Sequence, residues 1–209
     1  MTSIKCALLL FIPLAIGASQ VDAQAPMMKV SETGFGAEYL SVSSADLTLR
    51  GFSVGLARSG SIEAEVTYLG EGDYSSVAVG ITGYPVRQGR RGSVADFGLS
   101  LAIGQAGDNS PGGEQATFFS LGMMTFSRLQ LGRSLRFVPG VGAGLTIAPK
   151  LSPSFVAGVI PQVGLALDLG QTVTLGVDYG VQIDTEETLR VFGIGLVARV
   201  GESRAPEKR

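Results

Sequence analysis

Large apolar residues recur at every second position through nearly the whole of this chain, and that period constrains the fold more than any other feature. One stretch reads Ala95, Phe97, Leu99, Leu101 and Ile103, with Asp96, Gly98, Ser100, Ala102 and Gly104 between and after them. Another reads Val173, Leu175, Val177, Tyr179, Val181 and Ile183, interleaved with Thr174, Gly176, Asp178, Gly180 and Gln182. A period of two means strands with two unlike faces. One face is bulky and apolar. The other is small, glycine-rich and carries scattered charges. A closed barrel whose outside touches lipid accommodates both faces at once.

The first residues read as a targeting segment. Lys5 supplies a short basic start, and Ala7 to Ile16 form an apolar run of about ten residues, the length of a signal-peptide core and too short for a spanning helix. Val21-Asp22-Ala23 and Ala23-Gln24-Ala25 both offer small-residue cleavage sites. Cutting after Ala23 is preferred, because cutting after Ala25 would leave Pro26 first. The expected organisation is a signal peptide over 1–23, a lead-in over 24–32, a barrel domain over 33–200 and a polar tail over 201–209. The alternative is an uncleaved membrane anchor. The one cysteine, Cys6, falls inside the signal, so the exported chain would hold no disulfide, cysteine metal site or cysteine nucleophile.

A formal charge of −2 gives no indication of a nucleic-acid partner. Mean hydropathy is +0.32, high for an exported protein. There are 30 glycines and no stretch after the signal with a helical period. Ten strands are predicted, over 33–42, 45–57, 61–70, 75–86, 93–104, 116–127, 134–147, 155–167, 171–183 and 187–200; a count of eight stays open. Most run about 10–14 residues, near the 9–11 needed by a tilted membrane strand and longer than the roughly 5–6 usual in soluble sheets.

The connections alternate in character. Arg58-Ser59-Gly60, Arg87 to Gly92, Leu129 to Arg133 and Asp168-Leu169-Gly170 are mostly basic and carry glycine for tight turns. Glu71 to Tyr74, Ala106 to Gln115, Pro149 to Ser154 and Asp184 to Thr188 are mostly acidic and include the longest loop. With an even strand number, both termini lie on the side of the first set.

On this pattern the chain resembles the small outer-membrane β-barrel proteins of Gram-negative bacteria. The resemblance implies a closed antiparallel up-and-down transmembrane barrel in the outer membrane. It also implies lipid and the barrel-insertion machinery as partners, with the first set of turns in the periplasm. The chain departs from such barrels in ending its last strand, Leu189 to Val200, on valine, and in lacking tryptophan. An aromatic girdle would have to come from Tyr39, Tyr68, Tyr84, Phe118, Phe126, Phe137, Phe155 and Phe192.

Two orientations of the faces compete. In a soluble barrel the bulky face would fill the interior, leaving rows such as Gly140, Gly142 and Gly144 in water, where they would expose backbone and weaken the strand. In a membrane barrel the small face lines the lumen and lets a narrow barrel close. A chain only 16% charged favours the second. The expected lumen charges are then Arg50, Glu63, Glu65, Asp96, Arg136, Asp178, Arg190 and Arg199. With both signs in a narrow space, they are expected to form a stabilising network in preference to an ion filter.

The chain has no histidine, which excludes histidine general bases and histidine metal sites. Glu63 and Glu65 share a strand face and are read as a charged pair matched by arginine in preference to an acid–base pair. Gly193 to Ala198 fits a GxGxxA spacing without the strand–turn–helix context a dinucleotide needs. Asp108, Asn109 and Glu114 could hold calcium, though a solvated loop is the preferred reading. Pro139 and Pro161 each predict a bulge or local widening. Arg87, Arg90 and Arg91 are candidates for lipid phosphate contact, set evenly against a solvated turn. The expected function is a non-enzymatic outer-membrane barrel, structural or passing small solutes narrowly and without cofactors. The alternative is a soluble periplasmic barrel binding an apolar ligand.

The two sets of connections make the topology testable. Cysteines at Asp108 or Asp184 are expected to react with an impermeant thiol reagent on intact cells. Cysteines at Ser59 or Gly132 should react only once the outer membrane is opened. Equal labelling of both groups on intact cells would refute this orientation.

Overall fold

The computed structural model describes residues 33–58, 61–89, 92–149, 155–184 and 188–200. The expected signal peptide, the lead-in and the polar tail lie outside these residues. The strands, in chain order, are β1 (Gly34–Ser43), β2 (Thr48–Arg58), β3 (Ile62–Glu71), β4 (Tyr74–Val86), β5 (Asp96–Asp108) and β6 (Gln115–Phe126). They continue with the two-residue β7 (Leu129–Gln130), then β8 (Leu135–Ile147), β9 (Phe155–Leu169), β10 (Val173–Asp184) and β11 (Thr188–Arg199). Every pairing is antiparallel, and neighbours in sequence pair throughout except around β7, where β6 pairs β8 directly.

The sheet closes on itself. β1 pairs with β11 over ten residues, from Gly34↔Arg199 to Ser43↔Arg190. The fold is a closed antiparallel barrel of ten wall strands. β7 adds a short step beside the start of β8, where Leu129 pairs with Phe137 and Gln130 with Arg136. One end of the barrel, the terminal end, carries the start of β1 and the finish of β11. The distal end carries the turns after β1, β3, β5, β8 and β10.

The alternation in the sequence becomes the two surfaces of the wall. On β5, Leu99, Leu101 and Ile103 are half or more exposed, while Ser100, Ala102 and Gly104 between them are buried. Leu56 is 65% exposed on β2, whereas Leu69 and Phe118, on inward positions, are 0% exposed. The exposed apolar side chains run around the whole circumference, from Phe35 and Val54 through Val79 and Leu121 to Val163 and Ile194. A continuous apolar exterior on a closed sheet is a lipid-facing surface, since closure leaves no unpaired edge in hydrocarbon.

Inward glycines make the closure possible. A Cβ on Gly104 would overlap the Phe118 ring and lie 2.5 Å from the Val77 carbonyl. A Cβ on Gly98 would lie 2.8 Å from the Tyr84 ring and 3.1 Å from Met124. In both places a large inward side chain lies across a glycine of the neighbouring strand.

Several sequence expectations need correction. Among the girdle candidates, Tyr84, Phe118 and Phe126 point inward and are buried. The outward aromatics include Phe35, Tyr39, Phe52, Tyr68, Phe119, Phe155, Tyr179 and Phe192. The register shift of the β4–β5 ladder falls between Gly83 and Val86, at Pro85. Pro139 makes no bulge, because it sits one residue beyond the β6–β8 ladder, which ends at Phe126↔Gly140. Beside Pro161 the β9–β10 register lapses between Gly180↔Gln162 and Ile183↔Val159, without an extra residue on either strand.

Leu101→Arg, at the middle of β5 on the outer surface, is expected to destabilise the barrel by about 2–4 kcal/mol, read from denaturant unfolding in detergent or lipid. A neutral Leu101→Arg, with a wild type that stays soluble without detergent, would overturn the lipid-facing assignment.

Candidate functional site

The lumen gathers more than half of the charged strand residues, and its composition changes from end to end. Toward the distal end the filling is apolar. Leu40, Val42, Leu49, Leu69, Leu189 and Val191 pack together on one wall, with Leu47 and Tyr74 against them. On the opposite wall Ala78, Ala106, Phe118, Ala148 and Val156 form a second cluster. Nearer the terminal end, Tyr84, Met124, Phe126 and Val138 form a third, and Tyr84 and Phe126 meet edge to face with ring centroids 6.2 Å apart.

Polar residues fill the space between. The Ser53 and Thr67 hydroxyls are 2.8 Å apart, and those of Ser120 and Thr146 are 2.7 Å apart. Across both pairs, facing hydroxyls satisfy each other where water has no access. Glu63, an expected lumen residue, accepts a 2.8 Å hydrogen bond from the Tyr84 hydroxyl. Glu65 is half-buried and inward, its Oε1 3.0 Å from where a Cβ on Gly80 would lie. Asp178 is buried, and its carboxylate converges with that of Glu38 over Gly193. A Cβ on Gly193 would lie 2.6 Å from Asp178 Oδ1 and would overlap Glu38 Oε1. The GxGxxA-like run is therefore inward backbone that makes room for two carboxyl groups.

At the terminal end two aspartates each hold two arginines. Asp96, 1% exposed, takes Arg87 Nε on Oδ1 at 3.0 Å and Arg128 Nη2 on Oδ2 at 3.0 Å. Its Oδ1 also accepts the Gln88 backbone N–H. Gln88 reaches across in turn, accepting from the Arg128 backbone N–H at 2.7 Å and donating to the Arg128 carbonyl at 3.2 Å. Asp168 Oδ1 receives Arg136 Nη2 and Arg199 Nη2, both at 2.5 Å, and the Thr174 hydroxyl at 2.7 Å. Arginine's forked donors suit such sharing. The first clamp ties the β4–β5 turn to the turn after β6. The second ties β8, β9, β10 and β11 together.

The structure thus brings Glu63, Glu65, Asp96, Arg136, Asp178 and Arg199 into the lumen and leaves Arg50 and Arg190 outside. On β2 the inward positions are Leu49, Gly51 and Ser53, so Arg50 faces out and is exposed. On β11 Leu189 and Val191 are inward and Arg190 is exposed. Both arginines lie near strand ends, where an outward charge reaches the membrane interface and need not be hidden from lipid. Arg87, read as a lipid or solvent contact, is held by Asp96. Glu38, Arg128 and Asp168 were missed. Glu38 carried a signal, since it alternates with Tyr39 and Ala37 in phase with the inward Gly36. Asp168 carried one too, since Leu165, Leu167 and Leu169 alternate with the inward Gly164, Ala166 and Asp168. Arg128 lies in the turn after β6, where a period of two gives no phase.

In the longest loop Asp108 Oδ1 accepts the Ser110 N–H at 2.7 Å, and the Asn109 side chain bonds to Ser75 and Gln115. Among the described residues no group of three metal-ligating side chains is placed to hold an ion.

No family model matches this chain, and no curated protein does. Solved structures do resemble it. A loop-deletion mutant of OmpT, an outer membrane protein of Vibrio cholerae, is 12% identical, with 77% of this chain and 62% of that one covered at a TM-score of 0.36. The chain therefore spans less than two thirds of that protein. The N-terminal β-barrel domain of Pseudomonas aeruginosa OprF is 12% identical over 81% of this chain and 98% of that one, at 0.41. The β domain of the Bordetella autotransporter BrkA is 14% identical over 80% and 99%, at 0.48. These are likenesses of architecture alone.

Asp96→Ala is expected to lower stability by about 3–5 kcal/mol, because it leaves two arginines facing each other in a buried space. The measurement is urea unfolding of the detergent-folded protein. Asn109→Ala, which removes rim side-chain bonds to Ser75 and Gln115 and keeps the backbone bond to Asp73, is expected to shift it by less than about 1 kcal/mol.

Proposed function

We propose that this chain is a non-enzymatic outer-membrane barrel with a structural role in the envelope, and that its lumen is sealed. Export through the 1–23 segment is part of this reading. The observation that carries it is the burial of inward side chains along the barrel. Leu40 and Leu189 near the distal end are each 1% exposed, Thr67 and Gln182 are 1% and 0%, and Asp96 at the terminal end is 1%. Water reaches none of them, although they come from strands on opposite sides of the ring, so a solute finds no continuous aqueous path past them. A ten-stranded barrel has little more interior than its side chains fill.

The composition of the seal supports the same reading. An apolar plug at one end and ion-paired clamps at the other are arranged for packing and rigidity. A diffusion pore would need a hydrated constriction with exposed charge. The chain has no histidine for acid–base catalysis. The apolar exterior argues against the soluble alternative, because a water-facing wall of this kind would aggregate.

Planar bilayers test the proposal. The wild-type protein is expected to give no steady channels, or only rare small steps. Leu69→Ala combined with Leu189→Ala, which removes the middle of the distal plug, is expected to give measurable conductance. Large steady channels from the wild type would refute the sealed lumen.

A further inference from the structure

The outward-facing charges on the described strands are few and of one sign. Among the described strand residues at outward positions, the charged ones are Arg50, Arg58 and Arg190. Arg58 is at the terminal end. Arg50 and Arg190 are both near the distal end, on the two strands that flank β1. Their registers place Arg50 opposite Ser41 and Arg190 opposite Ser43. With strands roughly 4.8 Å apart and about 3.4 Å per residue, the two backbones are about 12 Å from each other. The β1 surface between them carries only the two small hydroxyls.

Aromatic residues fix the depth of this pair. Tyr39 is opposite Phe52, and Phe52 is opposite Tyr68, so three outward aromatics form one row across β1, β2 and β3. The Phe52 and Tyr68 rings have centroids 5.8 Å apart. Tyr179 is opposite Phe192 on β10 and β11. The Tyr68 hydroxyl lies over Gly70, toward the distal end. Aromatic side chains with their polar ends turned one way mark the membrane–water interface. Arg50 is two residues distal to Phe52, and Arg190 two residues distal to Phe192. Both guanidinium groups therefore sit at headgroup level. Neither has an ion pair or hydrogen bond among the described residues. The outward hydroxyls of Thr48 and Thr188 extend the patch, and no described strand carboxylate shares this outer face.

We propose that Arg50 and Arg190, with Ser41 and Ser43 between them, form a binding patch for the phosphate groups of a phosphorylated lipid in the leaflet at the distal end. The recognition rests on charge-assisted hydrogen bonds from arginine to phosphate, in a setting where the acyl chains lie against the apolar belt below. It rests on the membrane-barrel reading and adds to it a lipid of defined chemistry.

The test uses the full chain folded in nanodiscs of zwitterionic lipid. Retention of bisphosphorylated lipid A is compared with that of its monophosphorylated form and with inorganic phosphate. The wild type is expected to retain the bisphosphorylated lipid over the monophosphorylated one. Arg50→Gln with Arg190→Gln should weaken retention at least about tenfold, whereas Arg58→Gln should change it less than about twofold. Arg50→Lys with Arg190→Lys, which keeps the charge and loses the forked geometry, should fall between. Heat-modifiable mobility on gels verifies that each variant is folded, and the single Gln variants, expected to lose several-fold each, stand in if the double variant is not. Unchanged retention by the folded Gln variants overturns the proposal, as does competition by free phosphate at equal concentration. A wild type that fails to enter nanodiscs refutes the membrane barrel itself, a distinguishable result.

Discussion

Everything in this molecule depends on the ten-residue ladder between its first and last strands. In hydrocarbon an unpaired N–H or C=O has no water to turn to, so an open sheet is not a stable alternative. The β1–β11 ladder removes the last free edges. Once the ring is closed its circumference is set, and so is the volume inside. From then on each residue has one of two tasks, to face acyl chains or to fit a tube of limited bore.

The bore explains the glycines. An inward ring or carboxyl group needs space that the adjacent strand has to yield, and that strand yields it by omitting a side chain. Phe118 lies across Gly104, Tyr84 across Gly98, and the Glu38–Asp178 pair across Gly193. The composition of the inner face is thus a matching of large against absent, strand by strand. Charge inside the tube follows the same economy of space. Four arginines are served by two aspartates, each carboxylate being shared.

Much of this was legible in the sequence. The period of two located ten wall strands with ends mostly within three residues of those observed, and it placed Leu99 and Leu101 outside and Ser100 inside. Signs of charge were less informative than phase. Arg50 and Arg190 were expected in the lumen, although each is in phase with bulky outward residues, Phe52 and Val54 on β2 and Phe192 and Ile194 on β11. Partners could not be read at all. That Asp168 would collect Arg136 and Arg199 depends on how β8, β9 and β11 come together around the ring, a relation between residues more than thirty positions apart. The three prolines divide by the same logic. What each does depends on whether its missing N–H faced a neighbour, and only Pro85 coincides with a register shift.

The lapse beside Pro161 has a mechanical consequence. Elsewhere, apart from the shift beside Pro85 on β4 and β5, the long ladders of the hoop-shaped wall hold one register without a gap. Between β9 and β10 the hoop has a short unstitched length, and the inward residues behind it are Ile160 and Gln182, packed side chains that no ion pair braces. A hoop under lateral pressure from the bilayer strains first where its stitching is thinnest. The most compliant line of this barrel therefore lies two strands from its closing seam, and the seam itself is spared.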